Sequence, residues 1–125
     1  MSHFTQINTR ITDIVALLAA CSELNLETVE NGQARGYGSN HRQGRYVIKL
    51  NGPYDVAVNP GPNGEFALET DLWQGHVEKE LGPDLGTLRQ LYAVHKTSAE
   101  AKRRGLRVHR RPMKDGRIRL TVNGM

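Results

Sequence analysis

The side chains best placed to do chemistry are arginines near the C-terminus. Residues 101 to 125 hold nine lysines and arginines against Asp115 alone, a local charge of +8, whereas the first hundred residues carry eight basic and twelve acidic side chains. A basic terminal element on an acidic body suits a polyanion or an acidic protein surface as partner. The plainer alternative is that the two regions neutralise each other within the fold and the remaining arginines are solvated. Strand alternation decides where the charges go. If Lys114-Asp115-Gly116 is a three-residue hairpin loop with Gly116 left-handed, Met113 pairs with Arg117. One face then carries Val108 opposite Val122, Arg110 opposite Leu120 and Pro112 opposite Ile118, and the other gathers Arg107, His109, Arg111, Arg117, Arg119 and Thr121. Arg110 is the exception, a cation among hydrophobes that must lie at the edge or meet a carboxylate. Arginine binds phosphate in a bidentate manner, and a two-stranded ribbon fits a groove. Residues 101 to 125 contain no aromatic side chain for base stacking, however, so nucleic-acid binding there would be phosphate-dominated and steeply salt-dependent.

Other constellations are weaker. Gly32 to Gly44 has four glycines and no apolar period, which predicts a long loop that orders on a partner. Arg35, Arg42 and Arg45 lie in or beside it, but Gly36-Tyr37-Gly38 lacks the third glycine of a dinucleotide fingerprint and no Gly-Lys-Ser/Thr closes a phosphate loop. Arg35 and Tyr37 are retained as candidate partner- or anion-binding residues. The five histidines, His3, His41, His76, His95 and His109, form no i, i+4 pair, so neither a metal nor a cofactor is expected. His95 shares a helical face with Tyr92 and reads as a half-buried imidazole hydrogen-bonded near the sheet. Glu69, Asp71, Glu78, Glu80 and Asp84 surround Trp73, yet their spacing selects no acid/base chemistry; Glu78 and Glu80 read as a solvated helical turn and Trp73 as a core or rim aromatic. Cys21 lies on an apolar helical stripe and reads as a core residue. No catalytic residue is nominated.

These residues need a scaffold, and 125 residues suffice for one domain. With 38% hydrophobic and 24% charged residues the chain is neither disordered nor collagen-like, and no apolar run approaches membrane-spanning length. A soluble, cytoplasmic protein without disulfides is expected. A strand is predicted over residues 3–10, then a helix capped by Thr12 or Asp13 with Ile14, Leu17, Leu18, Cys21 and Leu24 on its buried stripe. A short strand over Leu26 to Glu30 follows, and Arg45 to Leu50, Tyr54 to Val58 and Glu65 to Thr70 should form an antiparallel meander with one apolar face under the helices. A second helix is predicted from about Asp84 to Arg104, buried through Leu88, Tyr92, His95 and Ala99 and stopped at Gly105. The order is β-α-β-β-β-β-α-β-β, a single α+β domain whose antiparallel or mixed sheet has six or seven strands.

Met1-Ser2-His3-Phe4, Arg35-Gly36-Tyr37, Tyr54-Asp55, Asp71-Leu72-Trp73 and Tyr92-Ala93-Val94-His95-Lys96 together resemble the conserved hypothetical protein family of chloroplast genomes and cyanobacteria, the thirty-fifth chloroplast hypothetical reading frame, whose bacterial relatives carry a domain of unknown function. The resemblance covers nearly the whole chain and brings no established activity. It implies an adaptor or accessory role, because the relatives look like partners of AAA-type ATPases. The corresponding segment of those relatives looks more acidic, so the basic hairpin here departs from them. The expectation is therefore a non-enzymatic accessory domain that binds a macromolecular partner, an AAA-type ATPase being the protein partner the resemblance implies, through the hairpin and the glycine-rich segment. Its rivals are a nucleic-acid-binding module and a small nucleotide-binding protein or enzyme in which Arg35, Tyr37, His41 and His95 would converge. Homodimerisation through an open sheet edge would also be compatible with this architecture.

Overall fold

The computed structural model describes residues 3–124, so Met1 and Ser2 of the first motif lie outside the described residues. Seven strands and the two expected helices appear in the predicted order: β1 Thr5–Asn8, α1 Ile14–Glu23, β2 Glu27–Arg35, β3 His41–Lys49, β4 Val56–Pro60, β5 Phe66–Thr70, a short α2 His76–Leu81, α3 Gly86–Arg103, β6 Arg107–Pro112 and β7 Ile118–Asn123. The strands divide into two antiparallel sheets rather than one. The main sheet runs β1-β5-β4-β3-β2, and β6 and β7 form a separate ribbon.

Local chemistry accounts for the ends of both long helices. Asp13 caps α1 by accepting the Ala16 N–H at 3.1 Å, a bond worth ~1 kcal/mol. At the other end of the helical layer, Gly105 takes a φ of 72° and the Leu106 N–H donates to the Ala101 carbonyl at 2.9 Å, which turns the chain out of α3 and into the ribbon. The start of α3 differs from expectation: Asp84 and Leu85 both adopt positive φ in a single 3-10 turn, so the helix begins at Gly86.

The front of the main sheet meets the helices. Ile48, Val56, Val58 and Leu68 from the strands, Leu17 and Cys21 from α1, and Leu88 and Tyr92 from α3 share one core cluster, as strand alternation and the 3.6-residue period require. Tyr92 adds a tie to the start of α1, because its Oη accepts the N–H groups of Thr12 and Asp13 at 3.0 and 3.1 Å.

The back of the sheet corrects the expected loop. Gly32 to Gly44 is not a mobile connection but the greater part of the β2–β3 hairpin, with Gly32 directly opposite Gly44. Pairing is interrupted between Asn31 and Arg45, and Asn31 takes a φ of 51°. Beyond that point the hairpin folds back over the sheet: Ala34 is buried with Val47 and Ala57 in a second cluster flanked by Phe4 and Val29, and Arg42 meets Glu69 of β5 at 3.3 Å. Glycine is needed at the bend. A Cβ on Gly44 would stand 2.5 Å from the Tyr46 carbonyl oxygen and 3.0 Å from Val47 Cγ2. At Gly36 and Gly44 the glycine that suggested looseness is steric clearance for close packing.

Candidate functional site

The ribbon register is the one that the alternation predicted. Val108 pairs with Val122, Arg110 with Leu120, Arg111 with Arg119 and Pro112 with Ile118, while Gly116 has a φ of 88° and the Met113 N–H donates to the Arg117 carbonyl at 2.7 Å. Ile118 packs against the main core, and Gln90 Nε2 donates to the Gly116 carbonyl at 3.2 Å. The ribbon thus sits on α3, with its other face turned to solvent.

Its arginines fall into two groups. Arg110, on the inner face, makes a bidentate pair with Glu23 at the end of α1, Nη1 to Oε1 at 3.0 Å and Nη2 to Oε2 at 2.5 Å. Hydrogen bonding from Arg110 is the main cause that lowers the Glu23 pKa to about 2, against the opposing effect of burial; a hydrogen bond from His95 adds to the lowering. His95 accordingly lies in the α1–α3 seam, its Nε2 2.8 Å from Glu23, rather than on the sheet. On the outer face Arg107, His109, Arg111, Arg117 and Arg119 are exposed. Among the described residues only Arg117 of these five has an acidic partner, Asp115 of its own turn, at 2.6 Å.

A second surface forms where the folded-back hairpin ends, and it was not identified as a unit in the sequence. The separate motifs Arg35-Gly36-Tyr37, Tyr54-Asp55 and Asp71-Leu72-Trp73 come together there around two buried carboxylates. Asp55 is 0% exposed. It accepts Arg35 Nε at 2.9 Å, Arg35 Nη2 at 2.8 Å, the Arg35 N–H at 3.0 Å and the Leu50 N–H at 3.1 Å. Burial works against ionisation of Asp55, but these bonds outweigh it and its pKa is lowered. Arg35 Nη2 also donates to the carbonyls of Leu50 and Gly52, so this guanidinium is engaged within the fold.

Asp71, 1% exposed, accepts the Tyr37 N–H at 3.2 Å and the Trp73 N–H at 3.0 Å. One carboxylate therefore positions two aromatic residues. Their rings meet edge to face with centroids 6.5 Å apart, and Tyr37 and Trp73 remain 49% and 41% exposed. A Cβ on Gly36 would lie 2.5 Å from Phe4 Cε2, which explains the glycine between Arg35 and Tyr37. The signal in the sequence is a carboxylate set beside aromatic residues at strand ends; the distant partners, Arg35 for Asp55 and Tyr37 for Asp71, lie 20 and 34 residues away, and strand periodicity does not connect them.

The enzyme or nucleotide-site alternative required Arg35, Tyr37, His41 and His95 to converge. The first three do gather at the hairpin end, His41 paired with Arg35 across the strands and its Nδ1 2.7 Å from the Ser39 carbonyl oxygen. His95 is on the helical side of the sheet with Glu23, so the four do not form one pocket. Among the described residues no group of three or more histidine, cysteine, aspartate or glutamate side chains is arranged to hold a metal.

The architecture is thus a small α+β domain with a cationic ribbon at one surface and an aromatic pair at another. Over residues 20–121 the chain matches the family described as a protein of unknown function (DUF1257), and it belongs to that family. No curated protein and no solved structure matches it. No helix among the described residues is long and apolar enough to cross a membrane.

Proposed function

We propose that this chain is a non-catalytic accessory domain that binds an acidic protein surface through the outer face of the β6–β7 ribbon. The carrying observation is the division of labour among the arginines: Arg110 anchors the ribbon to Glu23, and Arg107, Arg111 and Arg119 face solvent without a carboxylate partner among the described residues. Charges held on a backbone ribbon lose less freedom on binding than charges on a loop, and arginine is the cation most favoured at interfaces. An AAA-type ATPase is the partner class that the resemblance to the chloroplast and cyanobacterial family implies. Arg35 contributes to this reading as the residue that holds the hairpin end, and Tyr37 as part of a second, aromatic contact.

Phosphate-dominated nucleic-acid binding is the other reading, favoured by the Arg111–Arg119 cross-strand pair on a ribbon narrow enough for a groove. Amide hydrogen exchange on the complex recovered from the native host distinguishes these modes. Protection centred on residues 107–112 and 118–123 in a nuclease-treated complex supports the protein reading. Protection that vanishes with nuclease supports the nucleic-acid reading, and protection along β1 or β2 instead would indicate strand addition at a sheet edge, including self-association.

A further inference from the structure

A cleft of about 850 Å³ lies between the β1–α1 connection, the start of β5 and one face of α3. None of its lining residues belongs to the ribbon: Arg10 and Ile11 contribute from the connection, Glu65 from the position just before β5, and Arg89, Tyr92 and Ala93 from α3. The polar groups on its wall are unbalanced. Arg89 Nε is enclosed and no protein acceptor reaches it. Neither Arg89 nor Arg10 has an acidic partner among the described residues, although Glu65 is on the same wall. Tyr92 Oη already accepts two backbone N–H groups, which leaves the phenol its donor capacity. Arg10, Arg89 and Tyr92 thus line one concave surface with Glu65 as its single acidic residue.

We propose that this cleft is a binding site for a small oxyanion, a carboxylate or a phosphate, with Arg89 as its principal ligand and Arg10 as the second. A guanidinium presents parallel N–H groups that match the oxygens of either anion, and the Arg89 Nε–H, closed off and without an acceptor in this conformation, gains one when the side chain turns into the cleft to meet the anion. The proposal is independent of the ribbon's role.

The test is a titration of the nitrogen-15-labelled full chain with sodium phosphate and, separately, sodium acetate, read on the Arg89 Nε–H and Ala93 amide resonances, with sodium chloride at matched ionic strength as the reference. The expected result is a saturable shift with phosphate, acetate or both, which identifies the preferred oxyanion, and little shift with chloride. Arg89→Gln and Arg10→Gln should each weaken the binding by about tenfold or more, while Arg103→Gln at the far end of α3 should leave it unchanged. Arg10 is exposed, so its variant reports even if Arg89→Gln disturbs folding. Shifts that follow ionic strength alone, or saturable binding that survives both substitutions, would overturn the assignment.

Discussion

Arg110 of β6 and Glu23 of α1 form a bidentate ion pair across 87 residues of sequence, and this pair fixes the ribbon to the body of the domain. Its partners are partly exposed, so water and salt reduce its contribution to about 1 kcal/mol. Glu23→Gln should lower stability by that amount at neutral pH, measured by urea unfolding. The effect should depend on pH in one direction. The Glu23 pKa is lowered in the fold to about 2, from ~4.3 in an unfolded chain. The stabilisation is present above the unfolded value and is lost as pH falls toward the folded one, so wild type and variant should converge near pH 2.

Asp55 holds a larger share of stability. Replacing it with alanine leaves the Arg35 and Leu50 N–H groups without their acceptor beneath the folded-back hairpin. The expected loss is ~3 kcal/mol, in the range for breaking one partner of a buried charged pair. Because the Asp55 pKa is lowered, its contribution too is present at neutral pH and is lost on acidification. Urea midpoints across an acid pH series check both statements.

Gly44→Ala should destabilise by ~2 kcal/mol or more, since its Cβ would meet backbone and Val47 together. Gly38→Ala is the contrasting case. Nothing lies within 4 Å of a Cβ there and the only obstacle is its φ of 62°, so about 1 kcal/mol is expected. Thermal unfolding of the two variants separates steric contact from backbone strain.

Cys21 is buried and burial pushes its thiol up to about 12. Iodoacetamide should modify it very slowly in the native protein and readily in urea, as followed by mass spectrometry. Rapid native alkylation would contradict the core position of this residue.

The sequence revealed the ribbon well and the folded-back hairpin poorly, for one physical reason. The register around Lys114-Asp115-Gly116 depends on neighbours a few residues apart, and even the need of Arg110 for a carboxylate followed from the alternation. The path of Gly32 to Gly44 depends on contacts with Phe4, Ala57 and Glu69, which are distant in sequence, so its glycines resembled those of a flexible loop. Asp55 and Asp71 were hidden for the same reason: a carboxylate with a structural role cannot be told from a solvated one until its donors are placed. His95 was expected near the sheet because helical periodicity defines its face but not the neighbouring element; that element is α1.

The most direct measurement of the central claim is capture from nuclease-treated extract of the native host, comparing the tagged wild type with Arg111→Glu/Arg119→Glu at low and high salt, after circular dichroism has shown that both are folded. The account predicts an acidic protein partner retained by the wild type at low salt, weakened at high salt and lost in the double variant. Retention of the same partner by the double variant would contradict it.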